Sequence, residues 1–192
     1  MAEQASLFGA PARPESDRRA SAIFSDCANR GIHFCAPDCI GRLYRYVLRW
    51  PTGHESSERI VLWVLANPST ASAEKTDPTI AKCIKYSRTW GFGWCHVVNV
   101  RAWRSTDPDA LPADPHAIGP DNEDHIRVEA ASAELVVCGF GKLGGDQGWR
   151  TLELIRQFAV PHALKLNKDG SPQHPLYIAD AATPFPMEAR HG

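Results

Sequence analysis

Three short, largely apolar runs, each ending in a polar loop, limit how this chain can fold. They are "RIVLWVL" at residues 59–65, "WCHVVNV" at 94–100 and "ELVVCGF" at 134–140. Runs of this length, without regular polar alternation, read as strands buried on both faces. Helical signals lie between them. Asp77 stands where an N-cap belongs, and Pro78 takes the first helical position. Ile80, Cys83, Ile84 and Trp90 then form an apolar stripe, and Gly91 ends the helix. Gly119-Pro120 opens a second helix with acids in its first turn, as the helix dipole favours. "QGWRTLELIRQF" at 147–158 is a third helix, and "HALKL" at 162–166 is a short last strand.

Strands alternating with helices require right-handed crossovers and a mainly parallel sheet. The expected fold class is α/β, as a three-layer α/β/α arrangement. Ahead of this pattern, "LYRYVLRW" at 43–50 reads as a strand and "PTGHESSE" as a turn. That strand is expected to form an antiparallel hairpin with the one at 60–65.

At 192 residues the chain can bury a real core, and its 43% hydrophobic and 22% charged content excludes a wholly disordered chain. Residues 1–20 are rich in Pro, Ala and charge and read as a flexible tail, which leaves 21–192 as a single domain. No apolar run reaches the roughly 20 residues that span a bilayer, and the N-terminus lacks the order of a signal peptide. A cytoplasmic protein with no membrane contact is expected. There, six cysteines read as thiols or ligands before disulfides. Cys27, Cys35 and Cys39 cluster with His33, but their spacing is irregular and contains no C-x-x-C half-site, so thiols are the expectation over zinc. Cys83, Cys95 and Cys138 fall in apolar patterns and read as core. A net charge of −1 argues against a broad, non-specific nucleic-acid binder but leaves room for a local basic rim.

Ligands of open parallel sheets bind beyond the carboxyl ends of the strands. Four loops are expected at that edge: "ANPSTASAEKTD", Asn99 with "RAWRSTDP", "GFGKLGGDQG" and "NKDGSPQHP". They gather Asn67, Asp77, Asn99, Arg101, Arg104, Lys142, Lys168 and His174. Plain structural roles are open to them too: an Asx-turn for Asn67, a helix cap for Asp77, backbone satisfaction for Asn99, a loop end for His174. Their concentration at one edge points to a site. The glycine run 139–148 matches neither a G-x-G-x-x-G in register nor a Walker loop, and no G-x-S-x-G or H-E-x-x-H is present. Trp90, Phe92, Trp94 and Trp103 read either as core or as stacking surfaces for a base.

N-P-S-T-A at 67–71, D-P-T at 77–79, V-V-N at 97–99 and G-x-P-x-H-P-L-Y at 170–177 resemble a bacterial family catalogued as a domain of unknown function. More distantly, Asn67-Pro68 after one strand, Asn99 closing a later one and a late His174-Pro175 are similar to the uracil-DNA glycosylase superfamily. This second resemblance implies a glycosylase-like fold. It also implies that Asn67 positions the attacking water, that Asn99 reads the flipped base with its amide, and that His174 stabilises charge on the departing base. Two departures stand out: "LANPS" has no glycine before Asn67, and "HPLY" replaces the later Ser-Pro.

Breaking an N-glycosidic bond builds positive charge on the sugar and negative charge on the base. Asp77, from the same loop as Asn67, is the candidate for water activation or cation stabilisation; no metal or cofactor is needed. Lys75, Arg101, Arg104, Lys142 and Lys168 are candidates to hold DNA phosphates. The classical uracil enzymes carry a tyrosine that blocks the pyrimidine 5-position. The equivalent residue here is Ser69, followed by Thr70, so both are assigned to the base and a large polar 5-substituent is expected. By likeness to relatives in antiviral defence, glucosylated hydroxymethylcytosine in phage DNA is the leading candidate, its excision leaving an abasic site. The alternatives are a nucleotide or nucleoside glycosidic hydrolase or deoxyribosyltransferase, and a non-catalytic module that binds a modified base.

Overall fold

The computed structural model describes residues 32–34, 44–54, 56–68, 76–105 and 111–188. Seven strands form one sheet: β1 (Ile32–Phe34), β2 (Arg45–Pro51), β3 (Ile60–Leu65), β4 (Trp94–Asn99), β5 (Leu135–Cys138), β6 (Pro161–Ala163) and β7 (Phe185–Pro186). Three α-helices are described: α1 (Pro78–Thr89), α2 (Asn122–Ser132) and α3 (Gly145–Arg156). The strand order is β1-β2-β4-β3-β5-β6-β7. The central strands β4, β3, β5 and β6 are parallel, as the alternation of strands and helices requires. The pairings at both flanks are antiparallel, so the sheet is mixed rather than mainly parallel. The expected tail at 1–20 and the Cys27–Cys35–Cys39 cluster lie outside the described residues.

The hairpin expected between residues 43–50 and 60–65 does not form. β4 lies between the two strands, antiparallel to β2 with Val47 opposite Val98, and parallel to β3 with Leu65 opposite Asn99. β3 is hydrogen-bonded on both sides by parallel strands, which leaves it no edge for β2. The connection between β2 and β3 instead steps over the start of β4. Thr52 N donates to Gly93 O at 2.9 Å, and Gly93 N and Trp94 N both donate to Arg59 O at 3.1 Å. A Cβ on Gly93 would stand 1.6 Å from Ser57 O, so glycine alone permits this crossing.

Successive strand residues divide between two cores. Leu62, Val64, Val98, Val136 and Cys138 pack with Ile126 and Ala130 of α2 and with Leu152 and Ile155 of α3. Val61, Trp63, Leu65, Cys95, Val97 and Val137 pack with Ile80, Cys83 and Tyr86 of α1. The result is three layers, α1 on one face and α2 with α3 on the other. Cys83, Cys95 and Cys138 are buried free thiols, as their patterns predict. Burial pushes Cys95 and Cys138 up to about 12, which keeps them protonated and inert. Among the described residues, no helix is long and apolar enough to cross a membrane.

One charged group sits inside the α2 face. Glu129 is 1% exposed; its carboxylate meets His96 Nδ1 at 2.6 Å and the Arg49 guanidinium, from residues opposite each other on β4 and β2. Burial alone would raise the pKa of this carboxyl. The hydrogen bonds and charges of His96 and Arg49 outweigh that, and the net shift is downward from the ordinary 4.5. A carboxyl with a depressed folded pKa stabilises the fold fully above its unfolded value and loses that contribution as pH falls through the folded one. Glu129→Ala is expected to cost about 3–5 kcal/mol at neutral pH, because the buried ion pair with Arg49 and the hydrogen bond with His96 are both lost. Urea denaturation measures this loss, and the variant should show a shallower decline in stability with acid than the wild type.

Candidate functional site

The winding of the chain locates the site. From β3 the chain passes through α1 to β4 on one side, then returns through α2 to β5 on the other side of β3. Loops after β3 and β5 therefore leave toward opposite faces, and a crevice opens between them at the carboxyl edge. A later loop lies across it. A Cβ on Gly139 would come within 2.7 Å of Pro175 Cδ and 3.4 Å of Leu65 Cδ2, so the absent side chain makes room for Pro175. Gly141 N donates to Pro172 O at 2.8 Å, which seats the 172–175 segment over the end of β5.

His174 is delivered to this edge by that segment and opens the 3-10 turn Pro175–Tyr177. It is half-buried, and its Nδ1 is buried with no hydrogen-bond partner among the described residues. Burial lowers its pKa from the ordinary 6.5, with the charge of Asp77 acting against the shift. Its imidazole is thus neutral at physiological pH.

Asn99 is the last residue of β4, in register with Leu65 and on the same face as Leu65 and α1. Its backbone carbonyl is taken: Asn122 Nδ2 donates to the carbonyls of Asn99 and Val100 at 2.9 and 3.1 Å, while the next amide, Val100 N, donates to Leu65 O at 2.8 Å. Its side chain is not. Asn99 is 1% exposed, and among the described residues neither its Nδ2 nor its Oδ1 has a partner. A buried polar group left unsatisfied costs about 1–3 kcal/mol. Backbone satisfaction, the plain role open to Asn99, belongs to Asn122 instead.

Arg45 joins this group, and sequence reasoning missed it. His33 pairs with Val47 and Phe34 with Arg45, so Tyr46 is an extra residue, a bulge on β2. Tyr46 and Val47 consequently pack into the same core, and Tyr44 stacks on Tyr46 at 5.9 Å. Arg45 is thereby turned to the opposite, α1 face. On its other side, Val47 pairs with Val98 and Tyr44 with Trp103, so residues 99–102 oppose only residues 45–46. Arg45 is 2% exposed; burial lowers its pKa to about 10, Asp77 acting against this and Arg104 with it. The one available signal was a charged residue inside the otherwise apolar "YRYVL".

The remaining expected residues divide. Asn67 uses Nδ2 to hold Ser105 O at 3.0 Å and Pro68 O at 3.3 Å, which ties the β3 loop to the β4 loop. Asp77 caps α1 by accepting from Ile80 N at 2.8 Å, and it lies within electrostatic reach of Arg45 and His174. Arg104 is half-buried on the same side. Arg101 is committed elsewhere: its guanidinium pairs with Asp114 at 3.1 and 3.2 Å and donates to Leu143 O and Gly144 O. Lys142 and Lys168 are exposed at the rim. Ser69, Thr70 and Lys75 lie outside the described residues.

Trp90, Phe92 and Trp94 sit at the amino end of the sheet, away from this edge, where Trp90 stacks on Trp63 and Tyr86. Trp103 is at the carboxyl edge, against Tyr44. A cleft of about 710 Å³ beside Tyr44, His116 and Glu123, and one of about 640 Å³ beside His54, Arg88 and Trp94, are lined by none of Asn67, Asp77, Asn99 or His174. Among the described residues, no three or more His, Cys, Asp or Glu are grouped to hold a metal ion.

A family described as protein of unknown function, DUF1643, matches residues 45–176, the span that holds every strand of the parallel core and every described group at this edge. The chain belongs to the DUF1643 family. No curated protein and no solved structure matches it. In this DUF1643 domain the matched region begins at Arg45 and ends just after His174-Pro175, so the site is bounded by the family's own limits.

An unsatisfied amide held for a ligand has a stability signature. Asn99→Leu removes the buried polar atoms and is expected to leave stability unchanged or raise it by about 1 kcal/mol. A loss of more than about 2 kcal/mol in urea denaturation would instead show that the amide has a structural partner.

Proposed function

We propose that the protein is a DNA glycosylase of the uracil-DNA glycosylase type that hydrolyses the N-glycosidic bond of a modified pyrimidine and leaves an abasic site. The observation that carries this reading is the Asn99 amide, buried and without a partner at the crevice of a parallel sheet. A carboxamide offers one donor and one acceptor side by side, the complement of a pyrimidine's hydrogen-bonding edge. The nearby groups suit the remaining tasks. Asn67, its amide nitrogen held by Ser105, presents its oxygen to orient the water. Asp77 takes the water's proton or stabilises the sugar cation. A neutral His174 donates to the departing base.

Glucosylated hydroxymethylcytosine in phage DNA remains the leading substrate, by the small residues Ser69 and Thr70 and the likeness to defence enzymes, and antiviral defence is the proposed role. A second reading has one observation in its favour. Arg101, a candidate for phosphate, is already paired with Asp114 and backbone carbonyls, so the basic rim is thin. Fewer phosphate contacts suit a free nucleotide or nucleoside better than a duplex.

The assay compares abasic-site formation on glucosylated phage DNA, its unglucosylated counterpart and uracil-containing DNA, with nucleoside hydrolysis measured alongside. Efficient action on uracil DNA alone removes the bulky-substituent reading, and nucleoside hydrolysis without abasic sites selects the second. Asn67→Ala and Asp77→Ala should each lower turnover by about 100-fold or more. Wild-type rates in both would return these residues to their loop-tying and capping roles. Because burial lowers the pKa of His174, a break in the rate from its protonation should fall below pH 6.5, measured as kcat/KM against pH.

A further inference from the structure

We infer that the cleft at the amino end of the sheet is a second binding site, for a free zwitterionic amino acid with an apolar side chain. It stands apart from the carboxyl edge and does not rest on the glycosylase reading. The cleft measures about 640 Å³, and Gly53, His54, Ser57, Glu58, Arg88 and Trp94 are among the residues that line it. Its backbone walls are fixed. Thr52, fully buried, donates its hydroxyl to Phe92 O at 2.6 Å and its amide to Gly93 O at 2.9 Å. Ser57 N donates to His54 O at 3.0 Å, and Ser57 Oγ donates to Gly91 O at 3.2 Å. Arg88 Nε donates to Thr52 O, which pins the guanidinium to this frame. A Cβ on Gly53 would stand 3.2 Å from Arg88 Nη2, so the bare Cα gives the guanidinium room against the turn.

The frame carries two opposite charges that do not meet. Arg59, Arg101 and Arg127 each pair with a carboxylate. Among the described residues Arg88 pairs with none, and Glu58, on the same cleft, pairs with no cation. Arg59 does not serve Glu58, because its guanidinium is taken by Glu134 at 2.8 and 2.7 Å. With Nε spent, Arg88 keeps Nη1 and Nη2, the end of the fork that grips a carboxylate with two parallel bonds. Glu58 accepts from an ammonium group. Trp94, half-buried at the start of β4, gives the cleft an apolar wall for a side chain. One cation and one anion held apart on a fixed cleft match a ligand that carries both charges and is neutral overall. A simple anion would gain from Arg88 and lose to Glu58, whereas an amino acid gains from both.

The test is calorimetry on the full-length protein at neutral pH, with probes that share one ring. L-phenylalanine carries both charges, phenethylamine lacks the carboxylate, and hydrocinnamate lacks the ammonium. The wild type should bind L-phenylalanine at least about tenfold more tightly than either of the others. Arg88→Gln should close the gap to phenethylamine and leave the gap to hydrocinnamate, and Glu58→Gln should do the reverse. Both residues are exposed, and thermal melts check that each variant folds; where Arg88→Gln does not, Glu58→Gln decides. Equal affinity for the probes, no binding of L-phenylalanine at millimolar concentration, or a preference unchanged in the folded variants overturns the site.

Discussion

Parallel strands cannot be joined by a tight turn, so each return has to cross a face of the sheet. Most of this molecule follows from that constraint. Three returns supply α1 to one face and α2 and α3 to the other, and they bury strands that are apolar on both sides. Because β3, β4, β5 and β6 all point the same way, all four of their outgoing loops emerge at one edge. The reversal of direction between β4 and β5 makes the loops of β3 and β5 diverge, and the space they leave is where the 172–175 segment settles over Gly139. A crevice at this edge is a consequence of connectivity before any residue is considered.

The distribution of satisfied and unsatisfied groups is uneven in an informative way. Away from the edge, even a fully buried carboxylate, Glu129, has a histidine and an arginine to meet it. At the edge, among the described residues, Asn99 has neither donor nor acceptor matched and His174 has a buried nitrogen without a partner. Departures from local consistency that concentrate at one place, in a chain consistent elsewhere, mark function more often than error. The rigid core around them makes such a cost tolerable.

Much of the parallel core was legible in the sequence because three apolar runs separated by capped helices admit few other solutions. Asp77 as N-cap, Pro78 at the first turn and Gly91 after the helix end lie where local chemistry requires. The hairpin failed for a non-local reason. Nothing within residues 43–65 records that β4 will insert, and the residue that permits it, Gly93, is remote in sequence from both strands. β1 and β7, of three and two residues, carry too little pattern to be read at all. Arg45 was hidden for a similar reason: strict alternation assigns it the face of Val47, and the bulge that reverses the assignment depends on pairing with β1.

Structural roles for Asn67 and Asp77 do not compete with functional ones. A carboxylate that caps a helix is fixed in position by its Ile80 amide, and an asparagine that ties two loops is fixed by the Ser105 carbonyl. Fixing is what a reacting group needs, since a side chain already held loses little freedom when a ligand arrives. Those two residues therefore do not by themselves mark a site, since the fold alone explains their geometry. The mark of a site is Asn99, whose backbone carbonyl is held by Asn122 and whose buried side chain has no partner among the described residues. A ligand with adjacent donor and acceptor atoms is the simplest completion of that arrangement.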